Sequence, residues 1–228
     1  KFSGYLSYRS KIWQNTARAG LPKFFLENIT FESYADMAIN FPLLFVVKDS
    51  EYHNVKQQSF KDFMQGKINI FKGKKPKIQD LENHLSTIFT EVRLKQYIEI
   101  RSLDTCEWDC HCSGPAFYTG LIYGSLEESL EIVKKWNLKE VINAYIDSPK
   151  LGLKTIINNK TLLEWGKIFL NLAYKGLEKR SIKNSSAKDE TLFLRSVRNT
   201  LNQNKTKADM SIDKFQSNKN LNFLYEKE

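Results

Sequence analysis

From Val92 to Arg101 apolar and polar side chains alternate, with only Gln96 out of step. Val92, Leu94, Ile98 and Ile100 fall on one parity, and Arg93, Lys95, Tyr97, Glu99 and Arg101 on the other. Period two over this length predicts a strand, because successive side chains of extended backbone point to opposite faces. One face is then aliphatic, and the other holds three cations, a phenol and a carboxylate. A polar face of this kind is either simply solvated or a surface that takes anions. Directly upstream, Asp80 is placed to cap a helix whose apolar positions Leu81, Leu85, Ile88 and Phe89 share one side. A helix feeding a strand requires an architecture that contains both.

The rest of the chain sorts around this segment. Residues 1–25 carry Gly4, Gly20 and Pro22 among aromatics and read as irregular or short extended structure. Phe31, Tyr34, Ala35 and Ala38 have helical spacing, and Pro42 ends that helix. Leu43 to Val47 and Tyr52 to Val55 flank a polar turn and predict a hairpin, and Phe60, Phe63 and Met64 predict a short helix. The Lys-rich stretch from Gly66 to Lys77 reads as a loop. Beyond the strand the chain turns helical. Ser125 with Glu128, and Thr161 with Glu164, have capping-box spacing; Ser148-Pro149 divides the two helices, and Phe193, Val197 and Leu201 mark a third. Residues 202–222 read as a loose polar tail ahead of Phe223-Leu224-Tyr225.

Several chemistries fail on spacing. Gly66 and Gly73-Lys74 lie too far apart for a phosphate loop, and no Ser or Thr follows the Lys. His53, His84 and His111 have no nucleophile at a recognisable spacing, and His84 sits beside an apolar stripe, which predicts a structural role. Cys106, Cys110, His111 and Cys112 are too close together to wrap one zinc ion. Reduced thiols are expected there, with a disulfide between neighbours as the alternative. The net charge of +9 suggests nucleic acid at first, yet only seven of the 35 basic residues are Arg, and in the basic stretch Lys67 to Lys77 only Phe71 could stack on a base. Lys is tolerated over most surfaces, so the excess argues against a nucleic-acid partner and makes the Arg positions informative. No segment reads as membrane-spanning and no secretory leader opens the sequence, which predicts a cytoplasmic protein.

Three blocks give the chain a family. Gly4-Tyr5-Leu6-Ser7-Tyr8-Arg9-Ser10-Lys11-Ile12-Trp13, the stretch His84 to Arg101, and Pro115-Ala116-Phe117-Tyr118-Thr119-Gly120-Leu121-Ile122-Tyr123 resemble glutamate-cysteine ligases of the plant and proteobacterial type, and Gly176-Leu177-Glu178-Lys179-Arg180 continues the match. The resemblance implies an α+β fold of the glutamine synthetase-like ligase superfamily: an antiparallel sheet forming a cup-shaped active site, with a mostly helical C-terminal half. Residues 1–203 would be the C-terminal part of one catalytic domain and 204–228 a polar tail. The implied reaction joins the γ-carboxylate of L-glutamate to the amino group of L-cysteine through a γ-glutamyl phosphate, using ATP and Mg²⁺. Glu99 matches a metal-binding carboxylate in a Glu-x-Arg motif. Arg101 and Arg93 would be catalytic, Arg101 meeting ATP phosphate, Lys95 would support phosphate or substrate, and Arg9 and Arg18 would contact ATP or glutamate.

Departures set limits on that expectation. Where the family has a Gly-rich turn and Trp-Arg-Arg-Leu-Cys, this chain has Ser102 to Glu107 and then Trp108-Asp109-Cys110-His111-Cys112, losing two cations and gaining an Asp. The family's catalytic domain is also about twice as long, so Lys1 is expected to begin mid-domain. The missing N-terminal half becomes an expected partner, and the chain alone is expected to be inert or nearly so. Another carboxylate-amine ligase of the superfamily and a degenerate, non-catalytic basic binding protein are the alternative readings.

Overall fold

The computed structural model describes residues 3–16, 19–20, 29–55 and 57–225. Residues 12–102 form one compact unit, and residues 1–11 with 103–228 form another. No helix among the described residues is long and apolar enough to cross a membrane.

Helix α1 (Tyr8–Gln14) and β1 (Ala19–Gly20) lead into the 12–102 unit. There follow α2 (Phe31–Asn40), β2 (Val46–Lys48), β3 (Glu51–His53), α3 (Phe60–Met64), α4 (Ile78–Ser86), β4 (Phe89–Thr90), β5 (Val92–Leu94) and β6 (Ile98–Ile100). Local chemistry explains most of them. The Thr30 hydroxyl accepts the Ser33 N–H at 3.1 Å while Ser33 Oγ accepts the Thr30 N–H at 2.9 Å, a reciprocal cap that starts α2. Asp49 and Ser50 take positive φ of 51° and 65°, the geometry of a tight turn whose twist matches the β2–β3 hairpin. Asp80 does serve the start of α4, one turn in rather than as the cap residue itself: its Oδ2 accepts the Lys77 N–H at 2.7 Å. The core of this unit joins Leu43, Val46, Val55, Phe60, Phe63, Ile68 and Phe71. Phe71, the one ring in the Lys-rich stretch, is therefore packed inside and offers no base a stacking face. His84 is structural as expected: it is buried, its Nε2 meets the Ala38 carbonyl at 2.8 Å, and its ring stacks on Phe60.

The other unit is largely helical. It contains α5 (Ser113–Thr119), a π-helical turn at Gly120–Gly124, α6 (Leu126–Val133), α7 (Leu138–Leu151), β7 (Ile156–Ile157), β8 (Lys160–Thr161), α8 (Leu162–Arg180), α9 (Arg195–Gln203) and α10 (Lys207–Asn218). The Thr161 and Glu164 box forms, with Glu164 Oε2 accepting the Thr161 N–H at 2.8 Å; such a cap contributes about 1 kcal/mol. Ala116, Leu170, Ala173, Leu177, Leu194 and Leu201 make its core. Gly120 and Gly176 let the π-helical turn and α8 touch backbone to backbone, since a Cβ on Gly176 would fall on the Gly120 carbonyl oxygen.

Five expectations need correction. Residues 8–14 are helical rather than irregular. The Ser125 hydroxyl does not cap α6; it donates to the Leu172 carbonyl at 2.9 Å, so tertiary packing outcompetes the local box. Pro149 lies inside α7 instead of dividing helices. A ring there removes the bond to the Tyr145 carbonyl, but the Ser148 hydroxyl donates to that oxygen at 3.4 Å, and the Pro149 carbonyl accepts the Leu6 and Ser7 N–H groups at 2.8 and 3.0 Å. The segment read as a loose tail holds α10, started by Thr206 and Asp209 through bonds of 2.8 and 3.1 Å. Finally, the fold is α+β, but its strands form separate two-stranded pairs among the described residues: β2–β3, β5–β6 and β7–β8 antiparallel, β1–β4 parallel.

Candidate active site

The stretch predicted as one strand is a hairpin. β5 and β6 pair with Val92 opposite Ile100, Arg93 opposite Glu99 and Leu94 opposite Ile98, and Lys95 to Tyr97 turn between them. Three turn residues preserve parity, so the alternation that reads as a single strand also sorts the hairpin into one aliphatic and one polar face. Which face is covered is the reverse of the simple expectation. Arg93 is 6% exposed, whereas Val92 and Ile98 are 48% and 67% exposed.

Arg93 lies inside because every side of its fork meets an acceptor. Nη1 donates to the Ser86 carbonyl at 2.6 Å and the Ile88 carbonyl at 3.2 Å, where α4 ends and β4 begins. Nε and Nη2 donate to Glu99 Oε2 at 2.9 and 2.7 Å. Just past the end of β6 and two residues on from Glu99, Arg101 Nη1 donates to Glu99 Oε1 at 2.8 Å. The Arg101 guanidinium also sits 5.3 Å over the Phe89 ring. Glu91 extends the pairing, its carbonyl accepting the Arg101 N–H at 2.8 Å, and the Tyr34 hydroxyl accepts the Leu94 N–H at 3.0 Å.

The Arg93 hydrogen bond, helped by the Arg101 bond and both positive charges, holds the Glu99 carboxyl below the usual carboxylate range despite some desolvation. The sign is that of a stabilising carboxylate. Its contribution is complete above the unfolded value near 4.3 and is lost as pH falls through the lower folded value. In urea unfolding, the gap between wild type and Glu99→Gln should therefore be fully open above the unfolded value near 4.3 and narrow as pH falls below it. A gap independent of pH would remove the charged contact from the account.

Of the remaining predicted site residues, Lys95 does not join this cluster and is exposed in the turn. Arg18 lies outside the described residues. Arg9 belongs to the other unit, where its Nη1 approaches Asp104 Oδ1 at 3.6 Å on the wall of a cavity of about 1130 Å³. That cavity also takes in Glu107 and Lys207, paired at 2.7 Å, and the Lys207 bond pulls the Glu107 carboxyl down. Sequence reasoning missed this pair because the partners are a hundred residues apart along the chain; the Thr206 and Asp209 capping spacing at the start of α10 was the available signal. It also missed Phe89 as the platform for Arg101 and the two carbonyls that anchor Arg93. The cysteines are not all thiols: Cys106 and Cys110 are joined in a disulfide, and Cys112 is free and exposed. A four-residue separation that ends in the 3-10 turn Trp108–Cys110 places their Cα atoms 6.1 Å apart, inside the range a disulfide can bridge.

The residues present do not fit a divalent cation at Glu99. Both its oxygens already accept guanidinium N–H groups. Among the described residues the one group of three metal-ligating side chains is Glu107, Asp109 and Cys110, and Cys110 is bonded to Cys106.

Two guanidiniums around one carboxylate leave the Arg93–Glu99–Arg101 cluster with one net positive charge. Residues 1–227 match the model of glutamate-cysteine ligase family 2 (GCS2), and the chain belongs to that family. Among curated relatives, the chloroplastic glutamate-cysteine ligase of Solanum lycopersicum is 39% identical over 218 residues, covering 93% of this chain and 40% of the relative. That of Nicotiana tabacum is 38% identical, covering 93% and 41%. That of Arabidopsis thaliana is 36% identical, covering 94% and 41%. The chain thus spans about 40% of the length of the curated relatives it matches. These relatives are chloroplastic, which overturns the expected cytoplasmic location.

Proposed function

We propose that this chain supplies the arginine-bearing part of an ATP-dependent glutamate-cysteine ligase that works in a plastid. The observation that carries the reading is the Arg93–Glu99–Arg101 cluster, held in a family-matching stretch by bonds of 2.6 to 3.2 Å. The side chain of Arg101 is 22% exposed against 7% for Arg93, so Arg101 is the fork that meets oxygens of ATP or of an acyl phosphate, while Arg93 holds the cluster in place.

In the reaction, a γ-carboxylate oxygen of glutamate attacks the γ-phosphorus of ATP and ADP departs. The cysteine nitrogen then attacks the activated carbonyl, loses a proton, and inorganic phosphate leaves. Arg101 spreads positive charge toward the oxygens on which negative charge gathers in both steps. Arg9, in its cavity beside Asp104, is a candidate contact for an amino-acid substrate, and Lys95 and Arg18 for ATP or substrate. The cup-shaped sheet of the glutamine synthetase-like superfamily would be completed by the portion of the relatives that this chain does not span. The exposed Val92 and Ile98 offer that portion an apolar face to cover. Residues 1–203 would then be the C-terminal part of one catalytic domain.

The test is a chimera in which this chain replaces the matched 218-residue stretch of the Solanum lycopersicum relative. ATP hydrolysis that requires both glutamate and cysteine is expected from the chimera, and little or none from the chain alone. A chimera that melts like its parent but has no such turnover would overturn the reading.

A further inference from the structure

Within the β5–β6 hairpin, Glu99 is the carboxylate that joins the two guanidiniums. Its Oε2 takes two N–H groups from Arg93 and its Oε1 takes one from Arg101. A carboxylate presents about four lone-pair sites; three are filled here, each by a cation. A divalent ion at the remaining site would lie beside two guanidiniums, against their charge, and would have no second hard oxygen donor from a clustered acid among the described residues.

What the carboxylate does instead follows from what holds it. Arg93 cannot move without giving up the Ser86 and Ile88 carbonyls, and the β5–β6 register sets Glu99 directly across from it. Glu99 in turn grips Arg101 on one edge while the guanidinium carbon sits 5.3 Å over the centre of the Phe89 ring. The fixed end of α4 thus determines, through two side chains, where the Arg101 fork rests. A guanidinium on its own four-bond stem would sample many rotamers, and ordering it ahead of binding lowers the entropic cost of gripping an anion.

We infer that Glu99 is a positioning residue that braces the Arg101 guanidinium against Arg93 for an anionic oxygen group, and is not a ligand of a divalent cation. The nature of the anion rests on the ligase reading above; the brace itself does not.

The test is NMR on the 228-residue chain with two readouts, neither of which needs ATP or turnover, so a failure of the ligase reading leaves both intact. The first compares wild type with Glu99→Gln. The Phe89 ring current should shift the Arg101 δ-methylene upfield, and the Arg93 Nε–H should exchange slowly; both signatures should be lost in Glu99→Gln while the His84 and Phe60 signals stay in place. Retention of both signatures in that variant would overturn the brace. The second readout needs no variant to fold. Mn²⁺ added to wild type should leave the amides of Ile98 to Arg101 no more broadened than those of exposed acids elsewhere. Selective, saturable broadening of those amides would make Glu99 a cation ligand and overturn the inference.

Discussion

Arg101→Lys should lower the glutamate- and cysteine-dependent turnover of the chimera by about 100-fold, the loss typical when one preorganised donor to a developing oxyanion is removed. Charge is conserved in this substitution, so the loss measures geometry. A guanidinium can donate to Glu99 from one edge, sit over the Phe89 ring, and still present other N–H groups in a fixed fork. An ammonium is a single point with no planar fork, and Glu99 would draw it away from substrate. Steady-state kinetics of the two chimeras settles the matter: the fall should appear mainly in kcat, because the interaction strengthens as charge develops. A change of less than about threefold would take Arg101 out of the reacting region.

Arg93→Ala should act on stability. The side chain is 7% exposed, and its loss leaves the buried Ile88 carbonyl, the part-buried Ser86 carbonyl and one carboxylate oxygen without their donors. Removing one partner of a fully buried ion pair costs about 3–5 kcal/mol, and because the Glu99 side chain is 27% exposed and keeps Arg101 a smaller loss is expected, about 2 kcal/mol. Urea unfolding followed by tryptophan fluorescence, to which Trp13 in the same unit responds through its contact with Phe89, should show the drop. Lys95→Ala, two residues along the chain in the exposed turn, should stay within about 0.5 kcal/mol. Equal losses from both variants would contradict the division of labour between a buried brace and a solvated turn.

Much of the local structure was legible because the signals that set it are local. Thr161 and Glu164, Pro42, and the Asp49-Ser50 turn each act within a few residues, and each does what its chemistry dictates. The errors arose where a distant partner decides. Ser125 has a cap to make, yet the Leu172 carbonyl claims its hydroxyl. Pro149 ends helices in isolation, yet Ser148 and the backbone of Leu6 and Ser7 satisfy the groups around it. Thr206 and Asp209 form a capping box that a polar, Asn-rich composition concealed.

The site shows the same division. Alternation from Val92 to Arg101 sorted its residues onto the correct faces, because a three-residue turn keeps the parity of a continuous strand. Alternation carries no information on which face is covered. The covered face is polar because the ends of α4 and β4 turn carbonyl oxygens toward it, and a guanidinium satisfies several at once. The role given to Glu99 on family resemblance was likewise a matter of position along a motif; its neighbours in space are cations, and these determine what it can hold.

The most direct measurement of the central claim follows the oxygen. The chimera is supplied with ATP, cysteine and glutamate carrying ¹⁸O in both γ-carboxylate oxygens, and the inorganic phosphate is examined by mass spectrometry. Activation as a γ-glutamyl phosphate leaves one labelled oxygen in each phosphate released, in step with γ-glutamylcysteine formed. Unlabelled phosphate, or labelled glutamate recovered without product from a folded chimera, would contradict the account.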